Sequence, residues 1–327
     1  MSRGGRTEAE LRDLRAVADQ ALSTSVVAAL RTGLTSRSHL VVARAADLAS
    51  RKEARDLVPD LACAFARFVD GGAKSDPGCA AKLAVVRALA ALETGDAAVF
   101  LAGVRHVQSE PVWGGEVDTA GMLRGVALQG LVAMGHREAL YLAVPLLVDR
   151  VLEARRLAVE ALGHAGGEGA ELLLRLKALA GDAEPIVVGD CLAALIGIHG
   201  PRSLSFVVSF LDAADGDVAT LAGLALGSSR LPEALRHLRD AFAAFPDERR
   251  RERLILPIAL VRSDEATAFL LDVVRSETTR LAVAAVKALR ETQRDEAMCE
   301  RLARVARERE DPQVTAALAV RAAATPD

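Results

Sequence analysis

The chain has 327 residues and a formal net charge of −3, so it lacks the global basic field that supports non-specific nucleic-acid binding. Hydrophobic residues make up 51% of it but aromatic residues only 3%, which favours close helix packing through Ala, Leu and Val over a β-sandwich. The four cysteines form no CxxC pair, and no uninterrupted apolar run approaches the ~18 residues of a membrane span.

The N-terminal segment, residues 1–36, is predicted to form a tail and a helical cap, the role that terminal segments have in repeat proteins. Its first residues, MSRGGRTEAELRDL, are basic but are not followed by the apolar stretch of a signal peptide. We therefore expect a cytoplasmic protein that does not bind membranes.

An Ala-Leu signature then returns along the chain at intervals of about thirty residues. Its positions are Ala46, Leu89, Leu131, Leu162, Leu195, Leu226, Leu260, Leu289 and Leu318. Periods of this size indicate a solenoid, in which each repeat buries its apolar face only against its neighbours. Residues 37–310 are predicted to form an all-α solenoid of eight to nine helical hairpins in a curved superhelix. Residues 311–327 are predicted to form a C-terminal capping helix and tail.

Two intervals are longer than the rest: 43 residues from Ala46 to Leu89, and 42 from Leu89 to Leu131. The extra residues map to 70–78 and 108–118, which are predicted to be loop insertions on the same edge of consecutive repeats. Because helices in contact lie ~8–10 Å apart, we expect the two insertions to be close enough to touch.

The second insertion contains the sole tryptophan, Trp113, among acidic residues. Two interpretations are open: Trp113 is an exposed anchor for a partner, or it folds back and fills a groove between two hairpins. The residues predicted to bind a partner, on this edge and on the second helices, are Glu110, Trp113, Glu116, Asp118, Arg124, Arg105, Arg150 and Arg175.

The repeat is most regular between Leu152 and Asp182. In its first half, one helix face carries Ala154, Leu157, Ala158, Ala161 and Leu162. Glycines then end the helix. In the second half, the apolar face is predicted to consist of Leu172, Leu173, Leu176, Leu179 and Ala180. The unit is therefore predicted to be an antiparallel helical hairpin.

Several segments match a known repeat pattern. The first-helix pattern VRxxAAxALG is approached by VVRALAAL (85–92), RRLAVEALG (155–163) and VAAVKAL (283–289). The second-helix pattern is approached by ARDLVPDLACAFARFV (54–69) and EALYLAVPLLVDR (138–150), with Pro59 and Pro145 at its proline position. Residues 37–320 thus resemble HEAT repeats of the bacterial, phycobilisome-lyase-like type. The resemblance implies an all-α fold, but its motif residues hold the repeat together and specify no activity.

The resemblance leaves three functions open. A scaffold that binds another protein through its concave surface and the edge loops at 70–78 and 108–118 is favoured. Arginines on the second helices, which line the concave surface of HEAT proteins, leave nucleic-acid binding or a HEAT-like DNA glycosylase as an alternative. Carboxylates on the same helices disfavour this alternative, and a single Trp and a single Tyr offer little for base stacking. A bilin-lyase-like function is suggested by the repeat type alone.

The sequence contains no recognisable catalytic, cofactor-binding or metal-binding motif. His136, His164 and His199 fall at equivalent positions of different repeats, which lie ~8–10 Å apart and so cannot share one metal ion at bond lengths of ~2 Å. We expect no catalytic residue, no cofactor and no metal.

Overall fold

The computed structural model describes residues 3–93, 96–293 and 296–319. The chain divides into two compact units, Met1–Leu173 and Leu174–Asp327. Apart from one hairpin of two short strands, the regular elements of the described residues are helices, which confirms the all-α class. None of these helices combines the length and the apolar character needed to cross a membrane. The predicted C-terminal tail beyond residue 319 lies outside the described residues.

In the first unit the helices follow the predicted hairpin pattern. They are α1 (Arg3–Ala16), α2 (Thr24–Leu34), α3 (His39–Arg51), α4 (Val58–Ser75), α5 (Ala80–Ala91), α6 (Ala98–Val104), α7 (Gly121–Ala133), α8 (Ala139–Leu147) and α9 (Leu152–Ala165). The next helix, α10 (Gly167–Ala180), contains the boundary between the two units. Helices α3, α5, α7 and α9 pack each against the next, with α4, α6 and α8 packed beside them. This sequential packing is that of a solenoid.

The second unit repeats the arrangement. Its helices are α11 (Pro185–His199), α12 (Pro201–Val208), α13 (Gly216–Ser228), α14 (Pro232–Ala244), α15 (Glu248–Val261), α16 (Asp264–Ser276), α17 (Thr279–Thr292), α18 (Glu296–Glu308) and α19 (Pro312–Ala319). Helices α11, α13, α15, α17 and α19 pack in sequence. Helices α13 and α15 approach closely at Gly227, where a Cβ atom would lie 2.2 Å from the carbonyl oxygen of Pro257, so only glycine fits.

The repeat signature marks the buried side of the first helix in each hairpin. Its buried members are Ala46, Leu89, Leu131, Leu162, Leu195, Leu226 and Leu289. Leu260 and Leu318 are half-buried, and in both cases the alanine just before the leucine is buried instead. In α15 this shift of one residue accompanies Pro257 within the helix.

The predicted apolar face of α10 is wrong. Leu172, Leu176 and Leu179 are 67%, 65% and 68% exposed, whereas the buried side chains of this helix are Ala170, Leu174, Lys177 and Ala178. A lysine can occupy the buried side because its ammonium group forms an ion pair with Asp182 at 2.8 Å and donates to the carbonyl oxygen of Gly181 at 3.2 Å. The buried face thus consists of two alanines, one leucine and this paired lysine, in place of the predicted run of leucines.

The two insertions are not irregular loops. Within residues 70–78, α4 continues to Ser75 across a non-helical residue, Gly72, and a 3-10 turn follows at Pro77–Cys79. Residues 108–118 contain an antiparallel β-hairpin of β1 (Ser109–Val112) and β2 (Gly115–Asp118). Both insertions are therefore structured elements.

Candidate functional site

The β-hairpin is the element that departs most from the helical repeat. Its strands pair in the register Ser109↔Asp118, Glu110↔Val117, Pro111↔Glu116 and Val112↔Gly115. A two-residue turn, Trp113–Gly114, joins them, and the positive φ of Gly114 (+95°) suits a tight turn. Below the strands, the N–H of Thr119 donates to the carbonyl oxygen of Gln108 at 2.9 Å and continues the ladder.

The register gives the hairpin two different faces, because side chains alternate along a strand and paired residues share a face. The first face carries Gln108, Glu110, Val112, Val117 and Thr119. The second face carries Ser109, Pro111, Glu116 and Asp118. On each face the residues near the base are fixed by neighbouring helices or turns, whereas those near the tip are exposed.

Glu110 attaches the first face to the earlier insertion. Its Oε1 accepts hydrogen bonds from the backbone N–H of Gly78, from Nε2 of Gln108 and from Oγ1 of Thr119, each at 2.7 Å. The bonds from Thr119 and Gln108 lower the pKa of Glu110 and keep it ionised. The expectation that the two insertions touch is therefore confirmed.

A buried ion pair lies where the earlier insertion meets α5. Asp76 and Lys82 are both fully buried, with Lys82 Nζ 3.1 Å from Asp76 Oδ2. Asp76 also accepts from the backbone N–H groups of Ala81 (2.8 Å) and Lys82 (3.0 Å), and so satisfies the first turn of α5. Gln108 Nε2 donates to the carbonyl oxygen of Asp76 at 2.9 Å, which links this pair to the hairpin.

Arg124 of α7 attaches the second face. Its guanidinium forms two parallel 2.8 Å bonds to the carboxylate of Asp149 and lies 2.8 Å from Asp118 Oδ2. It also donates to the carbonyl oxygen of His106 at 3.0 Å. Burial opposes the charge of Arg124, but the hydrogen bonds and charges of Asp149 and Asp118 outweigh it and raise its pKa.

Asp118 is held in its ionised form by the same contacts. Burial would raise its pKa, but bonds from the backbone N–H groups of Ala120 and Gln108, together with Arg124, lower it. His106, at the hairpin base, has its pKa lowered by burial and then by the nearby charge of Lys82, and the neighbouring Gln108 side chain and Asp118 carboxylate offset this only in part. His106 is therefore neutral at physiological pH.

Cys79 lies beneath the hairpin base. Its Sγ is 3.9 Å from Oγ1 of Thr119, and burial raises the pKa of the thiol. A protonated, buried thiol is a poor nucleophile. The charged groups around it are paired with one another or with backbone groups, so this network holds the hairpin in place.

The tip of the hairpin is exposed. Trp113 has a relative exposure of 104%, as much as in an extended chain, and Val112 and Val117 are 51% and 44% exposed. Glu116 is also exposed. The interpretation in which Trp113 fills a groove between helical hairpins is therefore wrong. Trp113 is exposed, as the anchor interpretation requires, while its contact with a partner stays a prediction.

The structure thus divides the residues predicted to bind a partner. Glu110, Asp118 and Arg124 meet in the network at the hairpin base. Trp113 and Glu116 project from the tip. The remaining three are elsewhere: Arg105 pairs with Glu138 at 3.8 Å, Arg150 is exposed after α8, and Arg175 in the second unit lies over the ring of Phe206 at 4.5 Å.

Sequence reasoning missed the buried residues Asp76, Lys82 and Gln108. Only Asp76 carried a local signal, since an aspartate followed by Pro-Gly just before a helical segment is typical of a helix N-terminus. Across residues 3–93, 96–293 and 296–319, no three His, Cys, Asp or Glu side chains are grouped so that they could hold a metal ion.

Comparisons with known proteins identify no family for this chain. No protein-family model matches the sequence, and no curated protein is significantly similar to it. Among solved structures, an engineered protein from the Northeast Structural Genomics Consortium aligns with 96% of this chain and 95% of its own, at 16% identity and a TM-score of 0.35. A likeness of this degree carries no argument about function or fold.

Proposed function

We propose that this protein is a non-catalytic, cytoplasmic scaffold of HEAT-like repeats that binds another protein through its β-hairpin. The observation that carries the proposal is that Trp113, the only tryptophan of the chain, is fully exposed at the tip of a hairpin whose base is fixed. A fully exposed side chain contributes little to folding stability, and tryptophan is enriched among the residues that dominate binding energy.

The network at the base supports this role. A loop that must become ordered on binding loses conformational freedom, and this cost reduces affinity. Here Glu110 and Arg124 hold opposite faces of the hairpin before any partner arrives. Binding at Trp113 therefore needs little further ordering of the backbone.

The experiment compares two exposed aromatic residues. The proteins that co-purify with the full-length chain from its native cell are identified, and the affinity of each purified candidate is measured for the wild type, Trp113→Ala and Tyr141→Ala. Tyr141 is a suitable control because it is 79% exposed but lies on α8, outside the hairpin. We expect Trp113→Ala to weaken binding about 30-fold, which corresponds to about 2 kcal/mol, and Tyr141→Ala to have little effect.

Two results would overturn the proposal. In the first, Trp113→Ala binds each candidate as tightly as the wild type. In the second, the chain binds duplex DNA or RNA with nanomolar affinity and a steep dependence on salt, which would favour the nucleic-acid alternative. The second measurement is a fluorescence-anisotropy titration at two salt concentrations.

A further inference from the structure

The backbone of the hairpin has two outer edges, and they differ. In an antiparallel pair, residues alternate between those whose backbone groups bond across the pair and those whose groups point outward. The bond from Thr119 to Gln108 places the bonded pairs at 108/119, 110/117 and 112/115. The backbone groups of Pro111 on β1 and of Glu116 on β2 therefore point away from the hairpin.

Proline makes the edge of β1 unsuitable for another strand. Pro111 has no N–H group, so its outward position offers no donor. Glu116, directly opposite, retains both its N–H and its carbonyl group. Unprotected strand edges of this kind are templates for pairing with a further extended segment.

We propose that the outer edge of β2 binds an extended segment of a partner protein in which apolar and basic residues alternate. The inference rests on the proposed function, since it specifies what the hairpin binds. Strand addition of this kind derives its affinity from main-chain hydrogen bonds and its specificity from alternate side chains.

The alternation follows from the two faces of β2. A strand added beside β2 places every second side chain next to Val117, which is apolar and exposed, and the others next to Glu116 and Asp118. Asp118 is already paired with Arg124, so the exposed carboxylate of Glu116 is the group that favours a basic side chain on the added strand. No Lys or Arg occurs between Gln108 and Thr119, and the exposed ring of Trp113 can also receive a cation on its face.

The charge of β2 also argues against a second copy of this chain as the occupant. Two β2 strands paired antiparallel across a two-fold axis would place Glu116 against Glu116 or against Asp118 of the other copy. Like charges directly opposite each other destabilise a strand pair. The favoured occupant therefore has the opposite charge.

The test uses the full-length chain and two short, end-capped peptides, one of alternating Val and Lys and one of alternating Val and Glu. Trp113 is the only tryptophan, so its emission reports binding at the hairpin directly. We expect saturable binding of the Val-Lys peptide and at least tenfold weaker binding of the Val-Glu peptide. If the Val-Lys peptide shows no saturable binding up to millimolar concentration, or if both peptides bind equally, the proposal is wrong.

Two matched proline variants locate the edge. Glu116→Pro removes the outward N–H of β2 and is expected to weaken binding of the Val-Lys peptide at least tenfold. Ser109→Pro removes an outward N–H from β1 and is expected to leave binding unchanged. Equal affinity for the two variants contradicts strand addition at β2.

A charge-reversal variant remains informative if Glu116→Pro disturbs the hairpin. Glu116→Lys keeps a strand-compatible residue and is expected to reverse the preference, so that the Val-Glu peptide binds more tightly. Size-exclusion chromatography with light scattering of the wild type provides a further check. A dimer that Glu116→Pro abolishes would assign the edge to a second copy and overturn the proposal.

The same variants separate this inference from the proposed function. If the natural partner binds Glu116→Pro as it binds the wild type but fails to bind Trp113→Ala, the scaffold function stands and strand addition is excluded. If neither variant affects the partner, the proposed function itself is wrong.

Discussion

At its base, between Gln108 and Thr119, the hairpin is held on both faces by buried or half-buried hydrogen bonds and ion pairs. At its tip, a few residues away, Trp113, Val112 and Val117 are exposed to solvent. Polar residues are thus inside and apolar residues outside, which is the reverse of the usual distribution. The comparison indicates that the base serves stability and orientation, whereas the tip contributes little to the fold and carries the apolar side chains on which the proposed function depends.

The largest effect is expected from the buried ion pair. Asp76→Ala leaves Lys82 charged, buried and without its carboxylate, which should lower the free energy of unfolding by about 3–5 kcal/mol. Urea denaturation followed by circular dichroism measures the loss. Arg55→Ala is the control, because Arg55 pairs with Glu93 on the surface, and it should cost less than about 0.5 kcal/mol. Equal losses for the two variants would mean that the pair does not anchor the base.

A smaller effect is expected from Glu110, the hydrogen-bond acceptor that joins the two insertions. Glu110→Ala removes the acceptor for Gly78, Gln108 and Thr119, but the site is partly exposed, so water replaces some of the lost bonds. We expect a loss of about 1 kcal/mol. Time-resolved fluorescence anisotropy should also show faster local motion of Trp113. Unchanged anisotropy would indicate that the base does not restrain the tip.

The pH dependence of stability tests the charged state of the base. The pKa of His106 lies below its ordinary value of 6.5, so the unfolded chain binds this proton more readily and stability falls as the pH drops through that value. The lowered pKa values of Glu110 and Asp118 act in the same direction at lower pH, where protonation removes their bonds. The urea concentration at the unfolding midpoint should therefore decrease when the pH is lowered from about 7.5 to about 5.5. In His106→Gln this fall should be smaller, and an identical slope in both proteins would contradict the burial of His106.

The smallest effect on stability is expected at the tip. Trp113→Ala should change the free energy of unfolding by less than about 0.5 kcal/mol, because the side chain is fully exposed. The wild-type emission should be red-shifted and readily quenched by iodide. A blue-shifted emission with a loss of several kcal/mol would show that Trp113 packs within the protein, and the contrast between base and tip would then disappear.

The sequence was sufficient for the parts of the fold that repeat. Leu131 and Leu162 are buried where the period places them, because helical periodicity records burial directly. On α10 the same reasoning chose the wrong face, since it counts apolar residues and cannot know that Lys177 is paired with Asp182. The pairing depends on how the chain turns after the helix.

The candidate site was predictable in location but not in structure. The long intervals in the repeat identified 70–78 and 108–118, because an insertion interrupts a period whatever its conformation. Strands of four residues are too short to show a clear alternation, and the contacts of Asp76 with Gln108 join residues 32 positions apart. Such long-range polar contacts leave no pattern in a single sequence.

The buried thiol beneath the hairpin has a kinetic consequence. Cys79 can react with an alkylating reagent only when the base opens, whereas Cys63 and Cys299 are exposed at all times. The labelling rate of Cys79 under native conditions therefore measures how often the hairpin detaches from the repeats. If detachment is slower than the arrival of a partner, every encounter meets the same preformed surface, and the association rate becomes independent of the opening equilibrium.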